Sequence, residues 1–119
     1  MTKKYVTKDS GKRQEFETGA KRDASEGKPR FDLVPTVPLR RVADLYARGA
    51  EKYGEGNYEK GMPMTRVYAS LFRHLIQWRE GEPTEDHMAA VAWNAFAIML
   101  YEEKIAKGEL PPELDDRNT

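Results

Sequence analysis

Ala89-Ala-Val-Ala-Trp-Asn-Ala-Phe-Ala-Ile-Met-Leu100 is the most buried-looking segment of the chain, and the sequence marks both ends of the helix that contains it. Pro83-Thr84 opens that helix, with Glu85 and Asp86 in a first turn where acids suit the positive end of the dipole. The helix runs to about Lys107, and Gly108 with Pro111-Pro112 closes it. The apolar stretch from Ala89 to Tyr101 falls well short of the roughly 20 residues that a membrane span needs, and it carries Asn94.

Upstream, Thr65 reads as the cap of a second helix over roughly residues 66–80. Val67, Leu71, Leu75 and Trp78 form one stripe there, which Tyr68, Phe72 and Ile76 broaden. A helix apolar over that width is sandwiched between neighbours or serves an oligomer interface. Gly81 ends it. A first helix starts at Thr36 to Pro38, with Thr36 as cap and proline tolerated in the first turn. Leu39, Val42, Leu45/Tyr46, Ala50 and Tyr53 recur at three- and four-residue steps, and Gly54 and Gly56 stop it. No segment reads as a strand.

The expected fold is therefore all-α, a small bundle of three main helices with an irregular N-terminal arm, completed by oligomerisation. Residues 1–30 form a flexible basic and polar arm, including Lys3, Lys4, Lys8, Lys12 and Arg13. Residues 31–110 form the helical domain, and residues 111–119 a loose tail.

Composition narrows the function. At 119 residues the chain fits one ordinary domain. Lys+Arg and Asp+Glu each total 20, so no global field draws it to nucleic acid or an acidic membrane. No cysteine is present, which excludes disulfides, thiolate metal sites and cysteine nucleophiles. Met1-Thr-Lys-Lys-Tyr leads into polar sequence rather than a signal-peptide core, so the expected location is the cytosol.

Asn94 is the strongest anomaly, because a buried amide without partners costs roughly 1–3 kcal/mol. It either bonds a neighbouring helix or belongs to a site. His87 lies seven residues earlier, close to two helical turns of roughly 3.6 residues each, so both point along nearly one face. Glu85 and Asp86 flank His87, and Glu82 could face them across a short turn as a carboxylate cluster for a divalent cation. The plainer reading is ordinary helix-start acids beside a satisfied histidine.

On helix two, His74 shares the apolar stripe with Arg73 at its edge. A histidine beside an arginine suits an anionic ligand, and Trp78 offers a face for a base. The alternative is a core tryptophan with His74 bonded to a carbonyl. Arg66 adds a cation. In Gly49-Ala-Glu-Lys-Tyr-Gly-Glu-Gly-Asn-Tyr, flexible backbone combines with Lys52, Tyr53 and Asn57, which can serve a phosphate, although the spacing is not that of a Walker A loop. Lys21, Arg22, Lys28 and Arg30 either fold over a phosphate or form a solvated arm. Two histidines without cysteine do not fill a typical closed zinc site, so oxygen ligands and Mg²⁺ or Mn²⁺ suit these acids better.

Several stretches together are similar to a phage-type family described as dATP/dGTP diphosphohydrolase, N-terminal domain. They are Gly19-Ala-Lys-Arg-Asp, Gly27-Lys-Pro-Arg-Phe-Asp-Leu-Val-Pro, Gly49-Ala-Glu-Lys-Tyr-Gly, Asn57-Tyr, Arg73-His-Leu-Ile-Gln-Trp, Gly81-Glu and Glu85-Asp-His-Met-Ala-Ala-Val-Ala-Trp-Asn. The resemblance implies cleavage of a purine deoxynucleoside triphosphate to monophosphate and pyrophosphate with a divalent metal. It also suggests distant kinship with all-helical nucleotide pyrophosphohydrolases, which carry Glu-x-x-Glu and Glu-x-x-Asp pairs. Helix one here has only Asp44 and Glu51, seven apart, and the helix-three acids are adjacent.

On this reading Glu82, Glu85 and Asp86 hold Mg²⁺ or Mn²⁺, and His87 with Asp86 carries the chemistry. Lys52, Tyr53, Asn57, Arg66, Arg73, His74, Trp78 and Asn94 bind the substrate. The alternative is a non-catalytic protein that binds a nucleotide or signal molecule. The expected partners are a phosphorylated small molecule and further copies of the chain, with no membrane and no nucleic acid.

Overall fold

The computed structural model describes Tyr5 and residues 7–118, so Met1, Lys3 and Lys4 of the expected arm lie outside the described residues. The chain forms two compact units, Met1–Val34 and Pro35–Thr119.

The first unit corrects the expectation that no strand exists. Strand β1 (Arg13–Glu15) pairs antiparallel with β2 (Lys21–Asp23), in the register Arg13↔Asp23, Gln14↔Arg22 and Glu15↔Lys21. Charge complementarity replaces apolar alternation here. Arg13 Nη1 lies 3.4 Å from Asp23 Oδ1, and Lys28 Nζ lies 3.1 Å from Asp23 Oδ2. Ser10 also bonds Asp23, its hydroxyl at 2.5 Å. Strands of three polar residues carry no period-two hydrophobic signal, which is why the sequence does not reveal them. Of the basic group in this unit, Lys28 pairs with Asp23 and Arg30 with Asp32, whose oxygen lies 2.8 Å from Arg30 Nη2.

The second unit holds the three expected helices: α1 (Thr36–Tyr53), α2 (Met64–Arg79) and α3 (His87–Ala106). Short 3₁₀ turns occur at Asn57–Lys60 and Pro112–Leu114. Helix α3 packs against both α1 and α2. Its alanines Ala89, Ala90 and Ala97 are buried, which lets its neighbours approach closely. Met64, Val67, Ala97 and Tyr101 form the core, with Trp93, Ile98 and Leu110 packed around it. Tyr101 is fully buried and donates its hydroxyl hydrogen to the Tyr58 carbonyl at 2.6 Å, tying α3 to the α1–α2 connection.

The helix starts differ from the expected ones in an informative way. Pro35 and Pro63 occupy the cap positions of α1 and α2, and neither Thr36 nor Thr65 caps with its side chain. Thr65 instead bonds Asp116, its N–H at 2.9 Å and its hydroxyl at 2.6 Å. An acid brought back from the C-terminal segment therefore satisfies an orphan amide of the first turn of α2. Helix α3 begins at His87, not at Thr84, because Glu82 captures the Thr84 N–H and hydroxyl in a preceding turn. Asp86 then becomes the cap, accepting from Ala89 N at 3.2 Å.

The broad face of α2 is not sandwiched within the chain. Tyr68, Phe72, Leu75, Ile76 and Trp78 are exposed, as are Phe96 and Met99 on α3. Among the described residues, no helix is long and apolar enough to cross a membrane.

Candidate functional site

Both histidines are buried and meet where the end of α2 faces the start of α3. His74 Nδ1 and His87 Nδ1 are 2.9 Å apart, although the residues are 13 apart in sequence. His87 Nε2 makes a short contact with Glu82 Oε2. Glu82 is itself held by Thr84, whose N–H lies 2.8 Å from Oε1 and whose hydroxyl lies 2.5 Å from it. Arg73 Nη2 approaches His74 Nε2 at 3.4 Å.

With both rings neutral, one proton arrangement satisfies every contact. The Glu82 carboxylate can only accept, so His87 carries its hydrogen on Nε2 and its Nδ1 is a lone pair. His74 then donates from Nδ1 and accepts at Nε2 from Arg73. Burial pushes the His74 pKa down; the Glu85 charge opposes this, while Arg73 and His87 reinforce it. The Thr84 hydroxyl and amide hold the Glu82 carboxyl below the usual range, with His87 adding to the effect.

Glu85 completes a triad. Among the described residues, His74, Glu85 and His87 offer ligand atoms that all lie within 4.8 Å of one another. Of the three acids expected to hold a metal, Glu85 alone is in this group. Glu82 sits behind His87, and Asp86 faces Arg41 of α1, whose Nη2 and Nε reach its two oxygens at 2.6 and 2.8 Å. That guanidinium holds the Asp86 pKa down at about 2, and the Ala89 amide assists.

The donor set fits a divalent cation. Two ligands at about 2.1 Å from one ion and at roughly a right angle stand about 3 Å apart, so an ion held by both Nδ1 atoms would take the place of the hydrogen that His74 Nδ1 donates to His87. A carboxylate behind a histidine ligand is the usual means of fixing which ring nitrogen is available.

The triad borders a cavity of about 920 Å³ within the helical unit. His74, Glu85 and Asp86 line one part of it. Lys52, Tyr53, Asn57, Arg66 and Asn94, all expected to bind substrate, line it too. Arg73 and Trp78 are not among the lining residues. Arg73 touches the back of His74, and Trp78 is 54% exposed on α2. His87 reaches the site through its contact with His74.

Asn94 is buried, and its Nδ2 donates to the Ala90 carbonyl at 2.8 Å while the residue lines the cavity. The bond lies within α3 and not, as one expectation had it, to a neighbouring helix, and the residue takes a place in the cavity wall.

The sequence reading missed Tyr46, Arg48, Tyr58 and Trp93 as lining residues. Tyr46 and Trp93 sit in helical apolar patterns, where the plain expectation is core packing. Arg41 carried no signal at all, because its pairing with Asp86 spans 45 residues.

A family model described as dATP/dGTP diphosphohydrolase, N-terminal, matches residues 18–112. No curated protein and no solved structure matches the chain. The matched stretch contains the cavity, the histidine pair and both flanking acids, and covers well over half of the 119 residues. The chain thus belongs to the dATP/dGTP diphosphohydrolase N-terminal domain family.

Proposed function

We propose that this chain hydrolyses a purine deoxynucleoside triphosphate to the monophosphate and pyrophosphate. Family membership supports nucleotide hydrolysis in general. The observation that carries the reading is one cavity with an imidazole–carboxylate triad at its edge and cations in its wall.

His74, His87 and Glu85 are the residues that would hold a divalent ion, with Glu82 setting the His87 tautomer. Such an ion, when bound, offsets phosphate charge and makes a water more acidic. Arg48, Lys52 and Arg66 neutralise the triphosphate, since arginine and lysine hold phosphate oxygens through charge-assisted bonds. The Glu85 carboxylate accepts the proton of the attacking water. The water oxygen forms a bond to the α-phosphorus as the bond from that phosphorus to the bridging oxygen breaks. Pyrophosphate leaves with that bridging oxygen.

The test is incubation of the full chain with each dNTP and NTP, in Mn²⁺, Mg²⁺ or EDTA, with anion-exchange separation. Metal-dependent monophosphate and pyrophosphate support the reading. Tight binding without turnover under any metal replaces it with a nucleotide-binding protein.

The exposed apolar residues Tyr68, Phe72 and Ile76 of α2 support self-association as a second part of the proposal. Sedimentation equilibrium should give a multimer that Phe72→Glu dissociates. A monomeric wild type would remove this part and leave the hydrolysis untouched.

A further inference from the structure

The cavity has a part that the hydrolytic chemistry does not use. Tyr46 of α1, Tyr58 of the 3₁₀ turn and Trp93 of α3 gather there as three half-buried rings. Tyr46 and Tyr58 meet edge-on with centroids 5.2 Å apart, and each stands 5.9 Å from Trp93. Trp93 also packs against the core, and all three of these residues line a cavity large enough for a small ligand.

Asn94 supplies the second observation. Its side chain is only 5% exposed. The Ala90 carbonyl can only accept, so the amide nitrogen must face it, and Oδ1 is left as an acceptor. No hydrogen bond to Oδ1 occurs among the described residues, and the residue lines the cavity. A buried acceptor of this kind calls for a donor from a ligand or water.

The spacing orders the two parts. Seven residues of α3 separate His87 from Asn94, which at about 1.5 Å per residue is roughly 10 Å along the helix. That matches the reach from a nucleobase to the phosphates of an extended nucleotide.

We propose that Tyr46, Tyr58 and Trp93 form the nucleobase subsite, and that Asn94 Oδ1 accepts a hydrogen bond from the exocyclic amino group of the base. The proposal rests on the reading of the cavity as a nucleotide site. It makes Asn94 a specificity residue: adenine carries an amino donor at C6 and guanine one at C2, whereas hypoxanthine carries neither.

The experiment is calorimetric titration of the full-length chain in EDTA with dATP, dGTP and dITP. Without metal, binding is read apart from turnover. The wild type should bind dGTP several-fold more tightly than dITP, and Asn94→Ala should level that difference. Trp93→Ala should weaken dATP binding about tenfold or more, and Trp93→Phe should restore most of it. Equal binding of dGTP and dITP by the wild type, which needs no variant to fold, overturns the role of Asn94. Unchanged affinity in Trp93→Ala overturns the stacking subsite, and no nucleotide binding by the wild type overturns both. Turnover in Mn²⁺ separates the two readings. The binding pattern without turnover keeps the subsite and removes the hydrolase. Turnover with a KM that Trp93→Ala leaves unmoved keeps the hydrolase and removes the subsite.

Discussion

The Nδ1 atoms of His74, near the end of α2, and of His87, the first residue of α3, lie 2.9 Å apart in a buried pair. The turn between the helices makes this contact possible. Glu82 folds back to hold Thr84 and then reaches His87, so one carboxylate shapes the turn and fixes a ring.

Glu82 should therefore act through His87. Glu82→Gln keeps an acceptor but removes the charge that favours the hydrogen on His87 Nε2. Mn²⁺ affinity, measured by calorimetry, should fall by about 10- to 100-fold with the thermal unfolding profile retained. Equal affinity in the two proteins would detach Glu82 from the proposed metal site.

Asp86 has two structural duties that substitutions can separate. Asp86→Asn keeps a good cap and loses the ion pair with Arg41, and for this half-exposed pair the cost should be about 0.5–1 kcal/mol. Asp86→Ala also loses the cap and should cost about 1 kcal/mol more. Urea unfolding of both, and of Arg41→Met alone and combined, gives the coupling directly. Additive effects of Arg41→Met and Asp86→Asn would mean that the observed pairing contributes nothing.

Tyr101 predicts an alkaline limit. Burial, with help from Tyr46 and Tyr58, raises its pKa from 10.0 to about 12. A raised pKa means the folded state holds the proton more tightly, so this contribution is intact below pH 10. It is lost progressively as pH rises from 10 toward 12. Tyr101→Phe should flatten that part of the stability profile. It should also cost about 1 kcal/mol at neutral pH, because the Tyr58 carbonyl loses its donor. Identical alkaline profiles for wild type and variant would rule Tyr101 out as the cause.

Asp116 should stabilise α2 from a distance. Asp116→Ala removes an acceptor for the Thr65 amide and hydroxyl and should lower stability by about 1 kcal/mol. Hydrogen exchange at the first turn of α2 should accelerate in the variant, and unaltered exchange there would show that the contact does not hold the helix.

The three helices were legible because apolar residues recurring at three and four positions need only local spacing to declare themselves. Gly54, Gly81 and Gly108 marked where those patterns stop, and each adopts a positive φ that other residues resist. Local sequence also flagged His74 and Asn94 as polar groups in apolar company, and Glu85 and His87 as an acid and an imidazole at a helix entrance. The hairpin escaped because Arg13–Glu15 and Lys21–Asp23 are short polar strands joined by their backbone pairing and one cross-strand ion pair, which leaves no periodic trace.

The sequence by itself determined the helical units, their ends within a few residues, and the family. Tertiary structure decided which polar residues meet. The rotation of α2 against α3 turns His74 inward and leaves Trp78 in solvent, while the rotation of α1 gives Arg41 to Asp86 and Tyr46 to Trp93. Helical periodicity fixes which residues share a face. It carries no information about which face of the neighbouring helix they will find, because that choice is made by packing residues distant in sequence.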